Sequence, residues 1–223
     1  VDERDETEAA SMELKGKTII VTGASGALGR AVVAALDARG ADCRPLSLRE
    51  GPGEEEVAAF YRDLPEVWAS VHVAGGFSMA PIAETSLRDW EGIMETNART
   101  AFLCSREAVR AMRRGGGGGR IVNVAAIPAI EPRKGAGMVA YAMSKAAVAA
   151  LTVALAEEVA AEGIWVNAVV PSILDTKANR EAMPEADPAR WAKVEEVAET
   201  IAFLVSPKNA VVRGALVPVN GRS

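Results

Sequence analysis

The chain is short of the residues that build most chemical sites. Its 223 residues include two cysteines, Cys43 and Cys104, and one histidine, His72. Two cysteines are too few for a disulfide scaffold. Neither they nor the lone histidine show metal-ligand spacing, so no metal site is expected. Basic charge is also scarce: 25 Lys and Arg face 30 Asp and Glu, a net charge of −5. That balance argues against a nucleic-acid partner. No uncharged run reaches membrane-spanning length and no secretory leader is visible. A membrane partner is therefore not expected, and a cytoplasmic protein is the default. The opening stretch VDERDETEAASME, residues 1–13, is acidic and lacks a starting Met. It reads as a frayed or processed extension outside the working part of the chain.

What is present is apolar sequence in a regular order. Apolar residues make up 49% of the chain, enough for a large core in one domain over residues 14–223. Short β-branched runs (KTIIV, DCRPLSL, WASVHV, RIVNV, IWVNAVVP, ALVPV) alternate with stretches of helical periodicity. The runs are apolar on both faces, as in buried parallel strands. We expect a Rossmann-type, doubly wound α/β fold: about seven parallel strands in a three-layer α/β/α sandwich. Pro45 in the second run argues for an edge strand or a break. LRDWEGIMETNARTAFLCSREAVRAMRR reads as one long helix, and the five glycines at 115–119 as a connector without chemistry.

The first strand runs into TGASGALG, with Gly23, Gly26 and Gly29 at three-residue steps before a helix. A tight turn, close approach to a pyrophosphate and free N–H groups at a helix start all call for small residues there. Gly23, Ser25, Gly26, Ala27, Leu28 and Gly29 are the candidate phosphate cradle. A glycine-rich turn without a ligand is the plain alternative. The second strand ends in Ser47–Leu48, where many dinucleotide folds carry an acidic residue for the ribose, and Arg49 follows. Arg49 either pairs with a 2′-phosphate, favouring NADPH over NADH, or is solvated loop charge; the neighbouring Glu50 weakens the phosphate case. Ala74, Gly75 and Gly76 end the third strand and allow close backbone approach to a nucleotide. His72, just before them, is read as a strand residue rather than a base.

Tyr141 and Lys145 lie four apart on one helical face. A lysine ammonium beside a tyrosine hydroxyl favours the phenolate, which suits proton transfer. A buried lysine stem with its head reaching solvent is the bland alternative. With TGASGALG, the AGG strand end, Asn97 in METNART, YAMSK and VNAVVPSILDT, the chain from Leu14 to Gly221 resembles the classical short-chain dehydrogenase/reductase family. The resemblance implies an NAD(P)H-dependent oxidoreductase acting on a small carbonyl or imine-like molecule. It implies Tyr141 as acid/base and Lys145 as the group that lowers its pKa and holds the ribose. Asn97 would support a water, and Pro171, Ile173 and Thr176 would contact the nicotinamide side. It also implies a homodimer or homotetramer built on the helices of Asn97 and Tyr141.

Two departures stand out. Ala27 replaces a family glycine, and Ala125–Ala126 stand where the family ends this strand with a serine. Losing that donor to a developing oxyanion costs about 2–4 kcal/mol. Quinonoid dihydropteridine reductases, in the same superfamily, also lack the serine. This chain is similar to them in GALG, in VAGG followed by aromatic Phe77, and in LDTKANREAMPEADPARW. That last stretch lies in residues 175–195, read as a lid over the substrate with Met183 and Trp191 facing it, beside Phe77 and Ala126. Trp191 as a core anchor and Phe77 as core packing remain alternatives. Against the pterin reading, that group resembles an NADH user with an acidic residue after the second strand, absent here, and it lacks the Asn97 equivalent. A non-catalytic nucleotide-binding or scaffold protein is the reading from another class.

Overall fold

The computed structural model describes residues 12–48 and 53–222. The strands are β1 (Thr18–Thr22), β2 (Asp42–Leu46), β3 (Ala69–His72), β4 (Gly119–Val124), β5 (Ile164–Pro171), β6 (Leu174–Asp175), β7 (Ala192–Lys193) and β8 (Leu216–Val219). The helices are α1 (Ala27–Asp37), α2 (Glu54–Arg62), α3 (Leu87–Met94), α4 (Thr100–Arg114), α5 (Ile127–Ile130), α6 (Val139–Glu158), α7 (Lys177–Ala182) and α8 (Val194–Val205). Six strands form one sheet in the order β2-β1-β3-β4-β5-β8, and every pairing is parallel. β6 and β7 pair separately.

Buried β-branched residues dictate the central strands: Ile19, Ile20 and Val21 in β1 and Val166, Val169 and Val170 in β5 are fully enclosed. α1 and α8 cover one face of the sheet, while α2, α4 and α6 cover the other. This is the expected three-layer α/β/α sandwich. β2 lies at the edge, where Pro45 removes no needed ladder donor. The main sheet has one strand fewer than expected. Residues 47–68, between β2 and β3, hold α2 and, among the described residues, no further strand.

Two local readings change. The long helix over 87–114 contains a π-turn at Glu95–Arg99, between α3 and α4. The five-glycine run is an ordered bend. Gly116, Gly117, Gly118 and Gly119 all have positive φ, and Gly118 N–H donates to the Glu162 carbonyl at 2.9 Å. At the start of the described chain, Leu14 is fully buried and Glu13 pairs with Lys208 at 2.9 Å.

A polar chain crosses the apolar layer. Tyr61 Oη lies 2.7 Å from Ser70 Oγ, which lies 2.8 Å from His72 Nε2. His72 Nδ1 meets Asn123 Oδ1 at 2.8 Å, Asn123 Nδ2 donates to Thr152 Oγ1 at 2.9 Å, and Thr152 donates to the Val148 carbonyl. Because the Asn123 amide donates onward to Thr152, its oxygen accepts from His72, which fixes a neutral imidazole protonated at Nδ1. Burial pushes the His72 pKa down to about 4.

The folded pKa lies below the unfolded one, so His72 protonates first in the unfolded chain. Its contribution is complete above about pH 6.5 and is lost as pH falls through about 4. We expect about 3 kcal/mol of acid-dependent stability from this residue. Urea denaturation of His72→Asn between pH 7 and 4 should show a flatter stability slope than the parent. Equal slopes would remove His72 from the acid response.

Candidate active site

The strand order reverses direction around β1, and parallel sheets of this kind bind ligands at such a point, beyond the carboxyl ends of their strands. Four candidate segments emerge there: 23–29 after β1, 73–77 after β3, 125–126 after β4 and 172–176 after β5. The sequence-selected residues thus converge on one edge because parallel strands all end on the same side.

At the first segment, Gly23 has φ +66°, and a Cβ on it would come within 2.7 Å of Ala74 N. The ends of β1 and β3 are therefore in backbone contact, held also by Ala74 N–H donating to buried Thr22 Oγ1 at 3.1 Å. A Cβ on Gly29 would strike the Gly23 carbonyl at 2.1 Å, so only glycine lets α1 start this close to the turn. Gly26 is the N-cap of α1, with no capping side chain and no acidic residue in the first turn. Ala27 begins the helix, and buried Leu28 anchors it in the core. Ser25 is exposed on the turn. An uncapped, acid-free helix start behind a tight glycine turn fits a dinucleotide pyrophosphate. Ser47 and Leu48 follow β2, and Arg49 lies outside the described residues.

The second group forms around Lys145. α6 places Tyr141 in its first turn and Lys145 one turn later. Lys145 is 6% exposed, and its Nζ donates to the Val124 carbonyl at the end of β4 at 2.9 Å. A Cβ on Gly75 would lie 2.8 Å from Asn97 Oδ1 and 3.2 Å from Lys145 Nζ. Gly75 thus leaves room where the amide and the ammonium come together. Asn97 Oδ1 accepts from Gly76 N–H at 2.9 Å, while its Nδ2 donates to the Gly76 carbonyl at 3.1 Å and to Ser144 Oγ at 2.9 Å. Ser144 Oγ in turn donates to the Tyr141 carbonyl at 2.8 Å. Reading the sequence did not single out Ser144, Thr22 or the Val124 carbonyl. Only Ser144 left a signal, its place inside YAMSK.

The electrostatics differ from the sequence expectation. Burial pushes the Tyr141 phenol up to about 12. Lys145 does not lower it; burial brings Lys145 itself down to about 8. No side chain among the described residues hydrogen-bonds the Tyr141 hydroxyl, so it is free to meet a substrate. The Phe77 ring packs edge-on against Tyr141, with centroids 5.0 Å apart, and is itself 64% exposed. Ala126 is buried at the start of α5 and brings no hydroxyl.

Pro171 ends β5 buried, and Ile173 is exposed beyond it. The stretch after it is folded by its own residues. Asp175 and Arg180 form a two-bond fork at 2.6 and 2.7 Å, Thr176 Oγ1 caps α7 by accepting from Asn179 N–H, and Asn179 Nδ2 donates to the Leu174 carbonyl. Met183 is half-buried at the end of α7. Trp191 is 6% exposed, the position of an anchor under the segment. The LDT…NR pattern therefore has a complete local structural explanation.

α6 is the one helix among the described residues long and apolar enough to cross a membrane by length and composition, with mean hydropathy 1.7. It packs against β5 instead and carries buried Lys145. No metal-binding cluster of His, Cys, Asp or Glu occurs among the described residues.

Residues 7–221 match the model of the family described as enoyl-(acyl carrier protein) reductase. The 3-oxoacyl-(acyl-carrier-protein) reductase FabG of Pseudomonas aeruginosa is 32% identical, with 94% of this chain and 98% of that protein covered. The (3R)-3-hydroxyacyl-CoA dehydrogenase of Mus musculus is 29% identical, with 96% and 98% covered. A solved structure from Beutenbergia cavernae, described as an NAD(P)-dependent gluconate 5-dehydrogenase with bound NADP, superposes with a TM-score of 0.85 at 27% identity. It covers 95% of this chain and 98% of that one. A short-chain type dehydrogenase/reductase of Mycobacterium ulcerans shares the fold, with a TM-score of 0.85 at 24% identity over 94% and 90%. With the glycine turn, the Tyr–Lys helix and these relatives in agreement, the chain belongs to the short-chain dehydrogenase/reductase family and is an NAD(P)-dependent oxidoreductase.

Proposed function

We propose that the protein reduces a small carbonyl or imine-like substrate, with Tyr141 donating the proton. The observation that carries this is the half-buried Tyr141, whose hydroxyl has no side-chain partner among the described residues, one helical turn before the buried Lys145 that Gly75 and Asn97 surround. NAD(P)H, when bound, supplies the hydride. The Gly23–Gly29 turn would hold its pyrophosphate, Ala74–Gly76 its adenosine side, and Lys145 with Pro171, Ile173 and Thr176 its nicotinamide side. Residues 14–223 act as one cofactor-binding unit, with 175–195 as the substrate lid. The cytoplasm, where both reduced dinucleotides are available, is the compartment this reading implies. Ser47–Leu48 where an acidic residue would be expected, followed by Arg49, favours NADPH.

A phenol held near 12 stays protonated at neutral pH, so Tyr141 works as an acid and as a hydrogen-bond donor to the developing oxyanion. Lys145, one helical turn further along α6, orients the ribose. Asn97, fixed on both sides of Gly76, keeps the strand end and α6 in register.

Tyr141→Phe should lower kcat at least a hundredfold while the cofactor Kd stays within about twofold, since only proton donation is removed. Lys145 loses its proton as pH rises through about 8. The kcat/KM for the cofactor should therefore be flat at lower pH and fall above 8, with that limb absent in Lys145→Met. Unchanged turnover in the Tyr141 variant would remove its role.

Ala126 supports a substrate that needs little polarisation, and a quinonoid dihydropterin is the named candidate. Restoring the hydroxyl with Ala126→Ser should raise kcat on a plain ketone by tenfold or more. It should leave an electron-poor imine unchanged. An equal effect on both would remove this explanation of the alanine.

A homodimer or homotetramer is proposed through the outer face of α6, where Val139, Met143 and Val153 are exposed. Val153→Glu should shift sedimentation velocity toward the monomer. An unchanged profile would place the interface elsewhere.

A further inference from the structure

A cleft of about 680 Å³ opens between the Gly76–Ala80 segment and α3, with Ala140 at its edge. Phe77, Met79, Ile93 and Met138 line its walls. Two of these are unusual for surface residues: Met79 is 65% exposed and Phe77 64%. Ile82, 67% exposed, lies between β3 and α3, and Leu87, 70% exposed, opens α3. Phe77 is a wall of the cleft and also the ring packed on Tyr141. The cleft therefore reaches the ring that packs on Tyr141.

Its charges are unequally engaged. Glu95 is paired with Arg99 at 2.7 Å. Asp89 is tied into the start of α3, accepting from Ser86 Oγ at 2.6 Å while its N–H donates back to that oxygen at 3.1 Å. Arg88, also lining the cleft, makes no ion pair or hydrogen bond with any described residue. A planar guanidinium with open donors in the same cleft as the apolar side chains of Phe77, Met79, Ile93 and Met138 matches a carboxylate on an apolar chain.

We infer that this cleft binds the body of the substrate, and that Arg88 selects an apolar oxo compound ending in a carboxylate. The inference rests on the reductase reading for the reacting end of that molecule. Phe77 then sets the angle at which the carbonyl reaches Tyr141, and Arg88 sets which chains are accepted.

The test compares ω-oxo fatty acids of six to ten carbons with their methyl esters as substrates. The acids should have a KM about tenfold lower than the esters at matched kcat, the effect of one exposed charge-assisted contact. Arg88→Ala should raise KM about tenfold for the acids only, with kcat and ester KM unchanged. Phe77→Ala should raise KM for both. Calorimetry with nonanoate, which has no carbonyl to reduce, gives a readout free of turnover. Binding to the parent and to Tyr141→Phe, lost in Arg88→Ala, supports the subsite even if no oxo acid is reduced; that pattern would count against the reductase reading alone. Equal KM for acids and esters, or nonanoate binding that ignores Arg88, overturns the subsite.

Discussion

A single ammonium, Lys145, is buried at the carboxyl edge of the sheet with no carboxylate beside it. Its fixed partner is the Val124 carbonyl. Removing an ammonium from water costs several kcal/mol unless its donors are satisfied, so the surroundings must supply acceptors and space. β4 ends where its last carbonyl can meet the nitrogen. Gly75 carries no side chain because one would collide with Asn97 and crowd Lys145. Asn97 is locked by Gly76 and Ser144, and Ser144 reaches back to the Tyr141 backbone. The ends of two strands, the π-turn and the first turns of α6 are organised around one cation.

Much of this was legible in the sequence because the fold concentrates it. Buried β-branched runs give parallel strands, parallel strands end together, and small residues follow three of those ends. The Tyr141–Lys145 spacing required only helical geometry. What was not legible depends on tertiary burial. Nothing in YAMSK states how deeply α6 sits, and depth sets both pKa values. A nearby charge was expected to lower the phenol; desolvation raised it instead. No proline interrupts 87–114, so the extra residue in its middle turn was hidden. The seventh strand was expected from the fold type, but between β2 and β3 the described residues hold only α2.

The alanine at 126 and the high phenol pKa bear on one another. Where the strand end offers no hydroxyl, a tyrosine that remains protonated is the donor still available to a developing negative charge. The resemblance to pterin reductases rests partly on the 174–191 stretch, whose Asp175, Thr176, Asn179 and Arg180 all bond within the stretch itself. That pattern is therefore weaker support for a particular substrate than its length implies.

The π-turn at Glu95–Arg99 has a geometric consequence. One surplus residue in a helical turn rotates everything downstream by roughly a quarter of the circumference. Upstream, Ile93 points inward beside the cleft. Downstream, Leu103 and Cys104 point into the core between α2 and the sheet. A regular rod could not aim both apolar stripes correctly. The offset lets two consecutive helical segments serve different neighbours, with Asn97 at the point of dislocation.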